Sequence, residues 1–135
     1  MNKIYFDHEK LNVYQDSLKF AAWSEAILER VSPKAAIYGQ LDRARTSIPL
    51  NIAEGNGKFT APDRCTFFDT AWGSSLECAS CLDLLLIKKL LAEDELDVGK
   101  ETLRGIVSML VGLIRSHDPS RLKEEPVSYR VGQEE

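Results

Sequence analysis

Between Leu11 and Val31 apolar side chains recur every three or four positions, through Leu11, Tyr14, Leu18, Ala21, Ala22, Trp23, Ala26 and Ile27. Lys10, Asp16, Lys19, Glu25, Glu29 and Arg30 fall between them. That spacing predicts an amphipathic helix, and Ser32-Pro33 closes it because a residue before proline avoids helical geometry. A second stripe, Ile37, Leu41, Ala44, Ile48 and Ile52, predicts a helix beginning at Pro33 or Lys34, since proline suits a first turn. Pro49 lies inside this stripe and removes the amide that would bond the carbonyl of Arg45, so a kink or break is expected there. Gly55 and Gly57, with Asn56 between them in left-handed geometry, are expected to stop the helix.

Thr60-Ala61-Pro62-Asp63 opens a third helix: Thr caps, Pro occupies the first turn, and Asp meets the free amides and the positive end of the dipole. Its apolar positions run from Phe67 to Leu90, predicting a helix to about Ala92, with small residues Gly73, Ser74, Ser75, Ala79 and Ser80 in the middle that admit a close neighbour. A fourth stripe, from Leu96 through Leu103, Ile106, Val107, Leu110 and Ile114, follows an acidic run at Glu93, Asp94, Glu95 and Asp97 that complements a helix start. Asp118-Pro119 ends it. Four helices with short connections predict an all-α, up-down-up-down four-helix bundle. The expected organisation is a lead over 1–10, a bundle over 11–117 and a polar, mobile tail over 118–135, in which Val127, Tyr129 and Val131 alternate.

At 135 residues the chain holds one core, needing neither disulfides nor a structural metal. No stretch suits a membrane span or an export signal, and three cysteines (Cys65, Cys78 and Cys81) cannot all pair, so a cytoplasmic protein is expected. The net charge of −4 argues against a general nucleic-acid coat. Half of that charge, however, belongs to the segment from Asp118 onward, while Lys34 to Arg64 carries a local excess of +2. One basic face is compatible with this distribution.

Catalytic constellations are missing from the pattern. His8 and His117 lack the Glu-x-x-His spacing of di-metal bundles, and Cys78-x-x-Cys81 is half a zinc site without a second pair, best read as buried thiols. Gly73-Ser74-Ser75 is not a nucleophile elbow, and Gly55-Asn56-Gly57-Lys58 is too short for a phosphate loop. No enzyme activity, cofactor or metal is expected. The most specified stretch is Gln40 to Gly55, where Ser47 is placed to bond the carbonyl of Arg43, and Pro49, Asn51 and Glu54 read together as a stabilised kink or subunit contact.

This stretch resembles the four-helix-bundle proteins encoded in intervening sequences of bacterial 23S rRNA genes. Gln40, Leu41, Arg43, Ala44, Ser47 to Pro49 and Asn51 to Gly55 match the family's Gln-Leu-x-Arg-Ala-x-x-Ser-Ile-Pro-x-Asn-Ile-Ala-Glu-Gly. Ala71, Gly73, Ser74 and Glu77 are similar to a second stretch, and Leu11 to Gln15 to the opening, where Trp commonly replaces Tyr14. The resemblance implies a non-enzymatic bundle forming rings, typically homopentamers, related to accessory proteins of reverse transcriptases in diversity-generating elements. Two functional readings follow. In one, a homo-oligomer binds structured RNA or DNA, or assists a nucleic-acid enzyme, through Arg43, Arg45, Lys58 and Arg64. In the other, the arginines pair with Asp42 and Glu54 inside the bundle, and the ring is a protein-binding scaffold.

Overall fold

The computed structural model describes residues 3–122. Its four helices are α1 (Asn12–Leu28), α2 (Ala36–Asn56), α3 (Ala61–Ile87) and α4 (Glu93–His117), with 3-10 turns at Asp7–Lys10 and Pro119–Leu122. Contacts join α1 to α2, α2 to α3, α3 to α4 and α4 back to α1, closing an all-α, four-helix bundle. The expected stripes of α2, α3 and α4 form most of the core: Leu41, Ile48 and Ile52 from α2, Phe68, Leu82 and Leu85 from α3, and Ile106, Leu110 and Ile114 from α4 are all essentially inaccessible to water. On α1 the buried face differs from the expected stripe: Val13, Ser17, Phe20, Ser24 and Ile27 point inward at helical spacing, with two small serines taking core positions. Of the expected α1 residues only Ile27 is buried, while Ala22 and Ala26 are exposed. The segment carrying Val127, Tyr129 and Val131 lies outside the described residues.

Several boundaries differ from the sequence pattern, each for a local reason. α2 begins at Ala36 rather than Pro33 or Lys34, because Ser32 diverts the chain into a turn. Its carbonyl accepts from Ala35 N–H at 3.0 Å and its Oγ from Lys34 N–H at 3.2 Å. α1 stops at Leu28, where Arg30 and Val31 donate to carbonyls three residues back and tighten the chain. α2 is continuous through Pro49, and Gly55 is a buried helical residue rather than a stop. Asn56 is helical rather than left-handed, and its side chain donates to Asp7 Oδ2 at 3.0 Å.

α3 ends at Ile87, five residues before the expected Ala92. Lys89 takes φ 63°, the Lys89 N–H donates to Leu86 O and the Leu90 N–H to Leu85 O, each at 3.0 Å, forming a paired C-terminal cap. A lysine in left-handed geometry is strained, so Lys89→Gly is expected to stabilise the bundle by about 1 kcal/mol, read from the urea midpoint.

The adjoining turn is clamped to the turn that follows α1. Arg30 donates to Glu95 Oε1 and Oε2 at 2.8 and 2.6 Å, and the Ala92 N–H donates to Glu95 Oε1 at 2.9 Å. Arg30 first, and then the Ala92 amide, hold the Glu95 carboxyl down at about 2 against an ordinary 4.5. A carboxyl depressed on folding contributes stability that is complete above its unfolded value and is lost as pH falls through its folded one. Stability should therefore decline between pH 4.5 and about 2. Arg30→Gln should flatten that part of the acid limb in urea unfolding measured across the window.

Candidate functional site on the second and third helices

The most specified stretch of sequence forms the seam between α2 and α3. Its centre is a hydroxyl contact: Ser74 Oγ of α3 donates to Ser47 Oγ of α2 at 2.8 Å. Asn51 braces the same point, its Nδ2 donating to Ser47 Oγ at 2.9 Å and to the Ser47 carbonyl at 2.8 Å. Ser47 thus accepts across the seam, where the sequence suggested a bond back to Arg43. One turn below Asn51, Gly55 brings the backbones together. A Cβ built there would lie 2.9 Å from Phe67 Cβ and 2.9 Å from Phe68 Cε1. Pro49 is buried on this helix, while Glu54 is exposed and has no ion pair among the described residues.

The four basic candidates sit in different surroundings. Arg45 is turned inward, with its side chain only 12% exposed. It donates to Asp42 Oδ1 at 2.8 Å, to Glu25 Oε1 at 3.1 Å and to the Ala21 carbonyl at 3.0 Å. Its second carboxylate is therefore Glu25 of α1, not Glu54. Burial works against its charge, yet the bonds to Glu25 and Asp42 outweigh that and raise its pKa. Arg64 Nε donates to the Lys58 carbonyl at 2.7 Å, and its Nη1 lies 3.4 Å from His117 Nε2. Lys58 Nζ sits 4.9 Å from the centre of the Phe67 ring, a cation–π contact. Arg43 is exposed and has no ion pair among the described residues.

Arg45→Ala is thus expected to lower stability by about 1–2 kcal/mol, discounted for its half-exposed carboxylate partners, whereas Arg43→Ala should stay within about 0.5 kcal/mol. Urea unfolding of the two variants side by side checks this. An equal effect of both would remove the distinction between them.

The remaining candidate chemistry is quiet. Cys65, Cys78 and Cys81 are free and buried. Burial foremost, then neighbouring Cys81 and Glu77, push the Cys78 thiol up to about 12, which suppresses the reactive thiolate. No group of three or more His, Cys, Asp or Glu among the described residues is arranged to hold a metal ion. No helix of the described residues is long and apolar enough to cross a membrane. His8 packs edge-on to Tyr14 with ring centres 4.7 Å apart, and His117 lies against Phe68.

Sequence reasoning missed Ser74 as the partner of Ser47, Phe67 beneath Lys58 and Glu25 as the acceptor for Arg45. Only Ser74 carried a signal, as one of the small residues crowding the middle of α3.

Fold and seam define a small helical bundle organised around a tightly docked α2–α3 pair, with no assembled reaction centre among the described residues. Residues 9–112 match the model of the 23S rRNA-intervening sequence protein family, and the chain belongs to that family. A crystal structure of a protein with unknown function from the S23 ribosomal protein family of Bacteroides thetaiotaomicron VPI-5482 is similar, with a TM-score of 0.71. That similarity covers 76% of this chain and 98% of the other at 21% identity, and carries the fold. No curated protein matches the chain.

Proposed function

We propose that the chain is a non-catalytic, cytoplasmic homo-oligomer, a five-membered ring as the family resemblance implies, that works as a protein-binding scaffold. The observation that carries this reading is the contrast between engaged cations and uncovered apolar side chains. Arg45 is consumed inside the fold, and Lys58 and Arg64 are engaged by their neighbours. Leu50 on α2 is meanwhile 55% exposed and Phe59, between α2 and α3, is fully exposed. Around Leu50 the exposed Thr46 and the half-buried Ala53 recur at helical spacing, and on α3 Thr66, Thr70, Gly73 and Ser80 are outward and small. Small side chains beside large exposed apolar ones suit close helix-on-helix docking between copies.

Light scattering across a concentration series tests assembly: a mass several times 15.2 kDa is expected, falling with Leu50→Glu. A monomer at every concentration overturns the oligomer. Titration with structured RNA and with DNA tests the rest, since phosphate contacts give affinity that falls steeply with salt. No such binding is expected. Binding with a clear salt slope replaces the scaffold by the nucleic-acid reading, in which exposed Arg43 is the first contact to substitute.

A further inference from the structure

The lead and α1 border a cleft of about 290 Å³ that none of the α2 and α3 seam residues lines. Ile4, Tyr14, Leu18 and Ala22 supply apolar walls, and Glu9 and Gln15 its polar groups. Glu9 is 7% exposed, an unusual burial for a carboxylate. Its Oε1 accepts from the Phe6 N–H at 2.9 Å, while Oε2 is buried with no partner among the described residues. Gln15 Nε2 donates to the Glu9 carbonyl at 3.0 Å, which leaves the amide oxygen of Gln15 as a further acceptor. Lys19 also lines the cleft, but its side chain is 78% exposed and its ammonium is 4.0 Å from Asp16. The cleft therefore offers acceptors beside apolar walls, and one of its lining residues, Glu9, carries a buried carboxylate oxygen without a donor.

A buried carboxylate oxygen without a donor is costly, and a charged N–H donor is the group that best offsets it. We propose that this cleft binds an alkylammonium group, its N–H bonds directed at Glu9 Oε2 and Gln15 Oε1 and its short apolar stem laid against Tyr14, Leu18 and Ala22. Oε2 is shielded from water, so entry of the ammonium shifts the irregular lead around Ile4. The Phe6 amide, bonded to the same carboxylate, reports that shift.

The test is an NMR titration of the ¹⁵N-labelled full chain with n-butylammonium chloride, with n-butanol as an uncharged probe of the same stem. Capped lysine (Nα-acetyl-lysine methylamide) forms a third arm. Saturable shifts at Phe6, Glu9 and Gln15 are expected with n-butylammonium, with affinity at least roughly tenfold above that for n-butanol, as a charge-assisted bond requires. Glu9→Gln keeps an acceptor for the Phe6 amide but removes the charge, and should abolish the preference. Ala22→Leu fills the exposed wall without touching Glu9 and should block binding in a folded chain. Equal response to n-butanol, indifference to Glu9→Gln, or no saturable shift overturns the proposal. Tighter binding of capped lysine than of n-butylammonium identifies a protein side chain as the source, and the reverse identifies a free amine.

Discussion

Phe68→Ala is expected to lower the unfolding free energy by about 4 kcal/mol, the largest effect of any truncation considered. Phe68 is completely buried and lies where α2, α3 and α4 meet. One edge of its ring abuts the backbone of Gly55, and its centre is 5.8 Å from that of His117. Truncation removes the ring's apolar burial and leaves a void bordered by helix backbone on the Gly55 side, which cannot rotate into the gap as a side chain does. Urea unfolding should show a lower midpoint with an unchanged slope, the sign of lost stability rather than altered compactness. A loss below about 1 kcal/mol would show that the helices collapse into the void and that the junction is less rigid than its geometry indicates.

The opposite change at the same place should be nearly as damaging. Gly55→Val is expected to cost about 3 kcal/mol by overpacking. The built Cβ at Gly55 lies 2.9 Å from Phe67 Cβ, and that atom is fixed to the α3 backbone, so no change of rotamer relieves the contact. α2 and α3 must separate instead, straining the Ser47–Ser74 bond along the same seam. Gly55→Ala should cost less, about 1–2 kcal/mol, because alanine recovers about 1 kcal/mol of helix propensity against the clash. Gly112 is the control: it is helical and exposed, with open space around its Cβ, so Gly112→Ala should be neutral or stabilising by up to about 1 kcal/mol. Combining Gly55→Ala with Phe68→Leu should cost less than the sum of the two, since the smaller side chain makes room for the added methyl. Strict additivity would place the strain elsewhere.

Gly55 shows how much of the seam was legible. Its place after Ala53-Glu54 and before Asn56-Gly57 has the look of a helix stop, because glycine near a helix end most often supplies left-handed backbone. The helix instead runs on to Asn56, and the missing side chain serves the approach of Phe67 and Phe68. Both roles need glycine, and nothing within the stretch distinguishes them. Ser47 is similar: a hydroxyl inside a helix ordinarily bonds the preceding turn, but Ser74 Oγ donates to it from another helix. Arg45 was legible in part. Its pairing with Asp42, three positions back, is local and could be anticipated, while its bonds to Glu25 and the Ala21 carbonyl join separate helices. The end of α3 departs from its hydrophobic pattern because Leu90 and Leu91 continue the apolar run past the cap, serving the turn and the core instead of a further helical turn.

Four helices, their order and the buried faces of α2, α3 and α4 are legible in the sequence, whereas on α1 the apolar pattern marks Ala22 and Ala26, which are exposed, and passes over Phe20, which is buried. The legible properties follow from the period of apolar residues and from caps such as Thr60, whose Oγ accepts from the Asp63 amide as its position predicts. Tertiary packing selects which cation is sequestered, which glycine permits contact and which carboxylate oxygen is left buried without a donor. Arg45 meets Glu25 across 20 residues and Arg64 approaches His117 across 53, so each pairing depends on the relative rotation and height of two helices. Hydrophobic stripes set those rotations only to within a face. The last few ångströms are settled by close packing, at Gly55 against Phe68 and at Ser47 against Ser74.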